Sequence, residues 1–226
     1  MDPQEQYLRE LRQFYWENGL GHNEYQLERL AHFADLVVQK NQAVNLISRR
    51  DEKNIIENHV FISSFISEFI PQQMSYFLDI GTGGGFPGIP LAITRPMLRG
   101  VLVDSTAKKI NAVEEFIDQL KLSNVIAENN RVESPEFKEK YANKFDLIVS
   151  RGTVPLIILF RYAIPLIKEK AYLVAIKGGQ LDEEYKTAEI KYKSYIKKST
   201  TFELSYKPTN IKNKKGKKLV FLELTK

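Results

Sequence analysis

Five glycines, Gly81, Gly83, Gly84, Gly85 and Gly88, crowd into eight residues directly after the apolar run 76–80. A run of that length reads as a buried parallel strand, and Ile89 onward reads as the start of a helix. Glycine lets the main chain take positive φ and approach a ligand with no Cβ in the way. A helix N-terminus offers unpaired N–H groups to an anion. A tight turn that served no ligand would carry the entropic cost of these glycines without return. The turn is therefore expected to hold something small, polar and partly anionic.

Two ligand classes compete for it. Gly83 to Gly88 satisfies G-x-G-x-x-G, and Asp104 follows roughly twenty residues on, so a nicotinamide dinucleotide is one reading. Asp79, two residues before the first glycine, argues for another. A fixed negative charge at the mouth of the turn repels a pyrophosphate and attracts an amino-acid ammonium. S-adenosylmethionine carries that ammonium, a carboxylate for the helix N-terminus and a ribose diol. Asp104 closes the next apolar run, Val101 to Val103, where a carboxylate can accept from both ribose hydroxyls. The methyl donor is the favoured ligand on these grounds.

The rest of the chain supports a parallel sheet. From residue 76 the pattern alternates: strand 76–80, helix 88–94, strand 101–104, helix 106–121, strand 125–128, strand 145–150, helix 155–168, strand 171–177 and helix 181–193. Such alternation implies a sheet covered on both faces, with ligands at the strands' C-terminal edge. The runs 197–206 and 218–225 follow with no helix between, which predicts a terminal antiparallel hairpin joined by the polar loop 210–217. The expected fold is α/β, Rossmann-like, with a seven-stranded and mostly parallel sheet in residues 73–226.

Residues 1–72 instead read as a helical cap. Leu8, Leu11 and Tyr15 fall at helical spacing before Gly19 and Gly21. Asn23 opens a second helix and Asp51 is a candidate N-cap for a third. Trp16 reads as a packing residue, and His22, His32 and His59 show no metal-ligand spacing.

Composition narrows the chemistry. The chain has 226 residues and no cysteine, which excludes a disulfide framework, a zinc-thiolate site and the thiol nucleophile usual in pyrimidine C5 methylation. The most apolar run, Val154 to Ile167, is broken by Pro155, Arg161 and Pro165, too short and interrupted to span a bilayer. With no apolar leader, a soluble cytoplasmic protein is expected. Between residues 186 and 218 stand eleven lysines and two acids, although the whole chain carries only +5. A basic end on a mildly acidic body suggests a polyanionic partner.

The stretch Asp79-Ile80-Gly81-Thr82-Gly83-Gly84-Gly85-Phe86-Pro87-Gly88-Ile89-Pro90-Leu91 resembles the signature of the glucose-inhibited division protein B family, the ribosomal small-subunit methyltransferases G. Asn45-Leu46, His59, Asp104-Ser105, Lys108-Lys109, Arg131-Val132-Glu133, Ser150-Arg151 and Lys177-Gly178 follow in that family's order and spacing. The resemblance implies a class I methyltransferase fold and transfer of a methyl group from S-adenosylmethionine to guanine N7, at position 527 of 16S rRNA, in naked RNA, an assembly intermediate or the 30S subunit. It implies a cofactor pocket of Gly81, Phe86, Asp104, Val132, Glu133 and Arg151, with Asp79, Gly83 and Gly85 in the turn. It also implies that Arg131, Arg151 and Lys177 face the RNA or the reacting geometry. The family commonly has proline at Gly84, leucine at Phe86, alanine at Gly152 and an arginine where this chain has Lys217-Lys218. Lysine keeps the charge there but loses the planar fork; Lys215, Lys217 and Lys218 are the expected RNA contacts.

Guanine N7 is an exposed lone pair, so its methylation needs no general base and no metal, only in-line alignment. The strand ending at Val149 leads into Ser150-Arg151-Gly152 rather than the Asn/Asp-Pro-Pro-aromatic tetrad of exocyclic-amine methyltransferases. A nicotinamide oxidoreductase and an RNA-binding relative without turnover remain the competing readings.

Overall fold

The computed structural model describes residues 2–21, 23–179, 181–207 and 217–226. Seven strands form one sheet: β1 (Tyr76–Ile80), β2 (Arg99–Asp104), β3 (Val125–Asn129), β4 (Phe145–Arg151), β5 (Ile167–Lys177), β6 (Ile196–Glu203) and β7 (Lys218–Thr225). Their order is β3-β2-β1-β4-β5-β7-β6. The strands from β3 to β5 pair in parallel, and β7 runs antiparallel between β5 and β6. The expected terminal hairpin is present, with its second strand inserted beside β5. Strand order reverses at β1, and the glycine turn leaves the sheet at that switch point, where open α/β sheets take their ligands.

Strand alternation divides the core. Phe77, Leu102, Leu147, Val149, Val174 and Ile176 face one side, where they pack with Leu11, Leu27, Leu30, Phe33 and Val37 of helices α1 (Pro3–Glu17) and α2 (Glu24–Asn41). Leu78, Ile80, Val101, Val103, Ile148, Leu173 and Ala175 face the other. That face is covered by α6 (Pro135–Tyr141), α7 (Leu156–Ala163) and α8 (Asp182–Tyr192). Helices α4 (Gly88–Thr94) and α5 (Ala107–Gln119) join the first face. The N-terminal helices thus share one hydrophobic layer with the sheet, and Asp79, in phase with Phe77, points into that layer.

Several expectations need correction. Helix α7 stops at Ala163 and β5 begins at Ile167, earlier than the composition suggested, because Pro165 cannot continue the helix. Helix α6 was not anticipated, although Ser134 and Pro135 carry its start signal: the Ser134 hydroxyl accepts from the Phe137 N–H at 3.1 Å. A third helical run does follow Asp51, but it is not a regular α-helix. A wide π-type turn at Ile56–Phe61 runs into one α-turn, α3 (Ile62–Phe65), and a tight turn at Ile66–Phe69. Asp51 caps nothing; its carboxylate accepts from the Asn58 amide at 3.1 Å. Trp16 is 78% exposed rather than packed.

Candidate active site

The glycine turn is built by bonds from its own neighbourhood. Gly81 and Thr82 N–H both donate to the Val103 carbonyl, at 2.9 and 3.0 Å, which folds the chain back over the end of β2. The N–H groups of Gly85 and Phe86 then close on the Thr82 carbonyl at 2.9 Å. Gly81 has φ +71°, and a Cβ there would lie 2.5 Å from Thr153 Cγ2. Glycine is therefore required at this position for conformation and for space alike.

Asp79 does not stand at the mouth. It is fully buried beneath the turn, and Oδ2 accepts from the Thr82 hydroxyl at 2.7 Å and from the Gly88 N–H at 2.9 Å. The carboxylate thus occupies the first N–H of α4, the anion position expected for a ligand, because a negative side chain is favoured at a helix N-terminus. Burial, with the nearby Asp104 charge, pushes Asp79 up to about 7, against the Thr82 and Gly88 bonds and the Arg151 charge. Its Oδ1 is buried with no hydrogen-bond partner among the described residues. A group held neutral in part and turned inward cannot select a sulfonium over a diphosphate by its field at the surface, so that part of the sequence argument fails.

Asp104 is where the spacing placed it. Its Oδ2 accepts from Gly83 N–H at 3.0 Å and its Oδ1 from Thr106 N–H at 2.9 Å. Each oxygen keeps further acceptor capacity. Two cavities meet at this residue. The larger, about 510 Å³, is lined by the glycine turn with Phe86, Arg151, His59, Leu46 and Thr153. The smaller, about 180 Å³, is lined by Ile80, Val103, Ser105, Val132, Glu133 and Tyr162 among others. Gly81, Asp104, Thr153 and Val154 wall both. Gly83 and Phe86 line the larger cavity, whereas Gly85 lines neither and supports the turn from below, where a Cβ would meet Ile89 Cδ1 at 2.7 Å.

The three cations expected to ring the mouth have three different fates. Arg131 is open, its side chain 74% exposed on the wall of the smaller cavity and 3.7 Å from the Glu133 carboxylate. Arg151 lines the larger cavity but turns its guanidinium into the N-terminal segment. It donates to the Asn58 carbonyl at 2.9 Å and meets His59 Nδ1 at 2.7 Å, and it packs 5.5 Å from the Phe86 ring centre. Burial lowers its pKa to about 10, which leaves it charged at neutral pH.

Lys177 is not at the mouth. It is buried, ion-paired to Glu184 at 2.7 Å, and its ammonium donates to the Val154 carbonyl at 2.5 Å. A strand-end lysine beside two glycines looked exposed in sequence; a carboxylate in the first turn of α8 draws it inward. Its bonded partner Val154 walls both cavities.

Of the basic contacts expected near the last strand, Lys215 lies outside the described residues. Lys218 is half-buried, 4.0 Å from Asp182. Lys217 points inward and donates to the Asn58 carbonyl at 3.0 Å, the same acceptor Arg151 uses. Lys217, where the resemblance implies an arginine, thus stands beside Arg151 and not on an outer lysine face. Of the residues lining the larger cavity, sequence reasoning gave Thr153 no role and His59 only a place in the family's order and spacing. Only the position of Thr153, two residues beyond Arg151, could have marked it.

The comparisons with known proteins point the same way as the geometry. A model of the family described as rRNA small subunit methyltransferase G matches residues 26–212. A ribosomal RNA small subunit methyltransferase G of Chlorobium limicola is 43% identical over 73% of this chain and 73% of its own length. The chain belongs to the rRNA small subunit methyltransferase G family. The Chlorobaculum tepidum relative is 39% identical over 80% of this chain and 81% of its own length. Among solved structures, a SAM-dependent O-methyltransferase from Thermotoga maritima superposes with a TM-score of 0.59 at 13% identity, covering 78% of this chain and 70% of its own. M. jannaschii TYW2 in complex with AdoMet gives 0.56 at 15%, covering 75% and 77%. The fold is therefore the class I, Rossmann-like methyltransferase fold, and the family assignment displaces the oxidoreductase reading. Two positions where the resemblance implies another residue have different surroundings. A Cβ at Gly84 would lie 3.0 Å from Leu46 Cβ, whereas one at Gly152 would meet nothing within 4 Å.

Proposed function

We propose that this protein transfers a methyl group from S-adenosylmethionine to N7 of a guanine in 16S ribosomal RNA, by direct in-line displacement without a general base. The observation that carries the reading is the pair of cavities meeting at Gly81 and Asp104, on the C-terminal edge of β1 and β2, in a chain of the rRNA methyltransferase family. The residues present fit the donor. Gly81 walls both cavities with bare main chain, and Asp104 beside it keeps acceptor capacity toward a ribose diol.

The donor supplies an electrophilic methyl group on a positively charged sulfur. Asp104 would orient it through the ribose hydroxyls, while Ile80, Val103 and Val132 offer apolar contact to a base in the smaller cavity. The glycine turn, Phe86 and Arg151 would enclose the amino-acid end. Arg131, open to solvent, is placed for an RNA phosphate, whose contacts position rather than specify. A ribosomal substrate would put the protein in the cytoplasm. Among the described residues no helix is long and apolar enough to cross a membrane, and no cluster of His, Cys, Asp or Glu could hold a metal.

The test is mass mapping of 16S rRNA after incubation of naked rRNA and of 30S subunits with purified protein and donor. One methylated guanine, labelled at N7, is expected. A label on an exocyclic amine or on protein overturns the chemistry, and RNA binding without transfer at saturating donor overturns the enzyme.

A further inference from the structure

The contact between Arg151 and His59 admits only one proton arrangement. Arginine has five donors and no acceptor. At 2.7 Å from Arg151 Nη2, the Nδ1 of His59 must therefore present a lone pair. The ring's proton then sits on Nε2, which faces the Asp51 carboxylate at 3.6 Å. That carboxylate would by itself favour a doubly protonated ring, but an Nδ1–H would point straight at a guanidinium N–H. The same guanidinium donates to the carbonyls of Asn58 and His59, at 2.9 and 3.4 Å, and to Ser63 Oγ at 3.4 Å, so its fork is fixed on one wall of the larger cavity. Phe86, itself in the glycine turn, lies 5.1 Å from the His59 ring and 5.5 Å from the Arg151 guanidinium.

We propose that His59 is a positioning residue: held as the Nε2–H tautomer by the Arg151 guanidinium at Nδ1, it fixes Arg151 and Phe86 as the wall of the ligand cavity, and so couples the N-terminal helical segment to ligand affinity. The ligand part of this inference rests on the reading that the cavity takes the methyl donor or its demethylated product. The tautomer part does not. The sequence sets no local rule for this pairing, since Arg151 lies 92 residues from His59.

Two measurements test it. The first is the ¹⁵N NMR spectrum of the imidazole nitrogens in the full-length wild-type protein, without ligand, near neutral pH. An unprotonated, hydrogen-bonded Nδ1 with a protonated Nε2 is expected for His59; the opposite tautomer or a doubly protonated ring overturns the proposal. The second is calorimetric affinity for S-adenosylhomocysteine. His59→Asn places an amide oxygen where Nδ1 sits and is expected to weaken binding about threefold or less. His59→Gln reaches instead toward the Nε2 position, and it should lose about tenfold or more, as should His59→Ala. A merely structural histidine would give Asn and Gln equal losses, and that result, or no loss in any variant, overturns the positioning role. Should the variants fail to fold, the wild-type spectrum still decides the tautomer. Should the wild-type protein not bind S-adenosylhomocysteine, the methyl-donor reading fails while the tautomer stands or falls on its own spectrum.

Discussion

Along β1 and β2 the C-terminal edge is tied by near neighbours, with Asp79 bonded to Thr82 and Gly88, and Asp104 to Gly83 and Thr106. Along β4 the same edge is tied from far away, because Arg151 ends on Asn58, His59 and Ser63, about ninety residues upstream. The first region is a main-chain device: positive φ, carbonyls taking two donors, carboxylates holding N–H groups. The second is a side-chain device, and its geometry exists only once the helical segment has docked. A ligand lying across both therefore senses the local turn and the long-range packing at once.

The sharpest way to break that contrast is a pair of alanine substitutions at the two strand ends. Gly81→Ala meets both a positive φ and Thr153 Cγ2, and should destabilise the protein by about 3 kcal/mol. Gly152→Ala, at φ +58° with open space around its Cβ, should cost about 1 kcal/mol. Urea unfolding measures both, and adding Thr153→Ser to Gly81→Ala should recover part of the loss, because serine lacks Cγ2. Equal costs at the two sites would erase the distinction.

Removal of the long-range tie should rank next. Arg151→Gln leaves carbonyls of the helical segment without their charged donor, and a loss of about 2 kcal/mol in unfolding free energy is expected. Arg151→Lys, which keeps charge without the fork, should lose less.

The pH dependence of Asp79 sharpens the local side. Its native pKa of about 7 lies above the ordinary 3.8, so the folded state binds the proton more tightly. The resulting stabilisation is complete below about pH 4 and is lost as pH rises through about 7. Relative to Asp79→Asn, the wild type should lose about 1.4 kcal/mol for each unit of pH between about 5 and 6. A difference that stays flat, or grows with pH, contradicts the burial argument. The smallest effect belongs to the half-buried lysine: Lys218→Ala should lower the salt slope of RNA binding by at most about one, the share of a single phosphate contact.

What could be read from sequence follows the same divide. The sheet, the terminal hairpin and Asp104 were legible because apolar period, glycine density and strand-end position are all local signals. Asp79 was located correctly and its orientation misjudged: the spacing puts it at a strand end, but nothing in the spacing says that Gly88 N–H will claim it. Lys177 failed for a similar reason, since its partner Glu184 lies past a turn. His59 could not be weighed at all until Arg151 was brought to it, for the meaning of a lone histidine rests on which residue folding sets beside Nδ1.

Lys207, after β6, and Lys217, before β7, are both moored to the helical segment. The Asn18 side chain grips both the N–H and the carbonyl of Lys207, at 2.8 and 2.7 Å, and Asn58 holds Lys217 at 3.0 Å. The entropy of bringing these two anchor points together is settled when the chain folds. Lys207 and Lys217 are thus pinned to the helical segment by folding itself, and ordering these two residues costs nothing further afterwards.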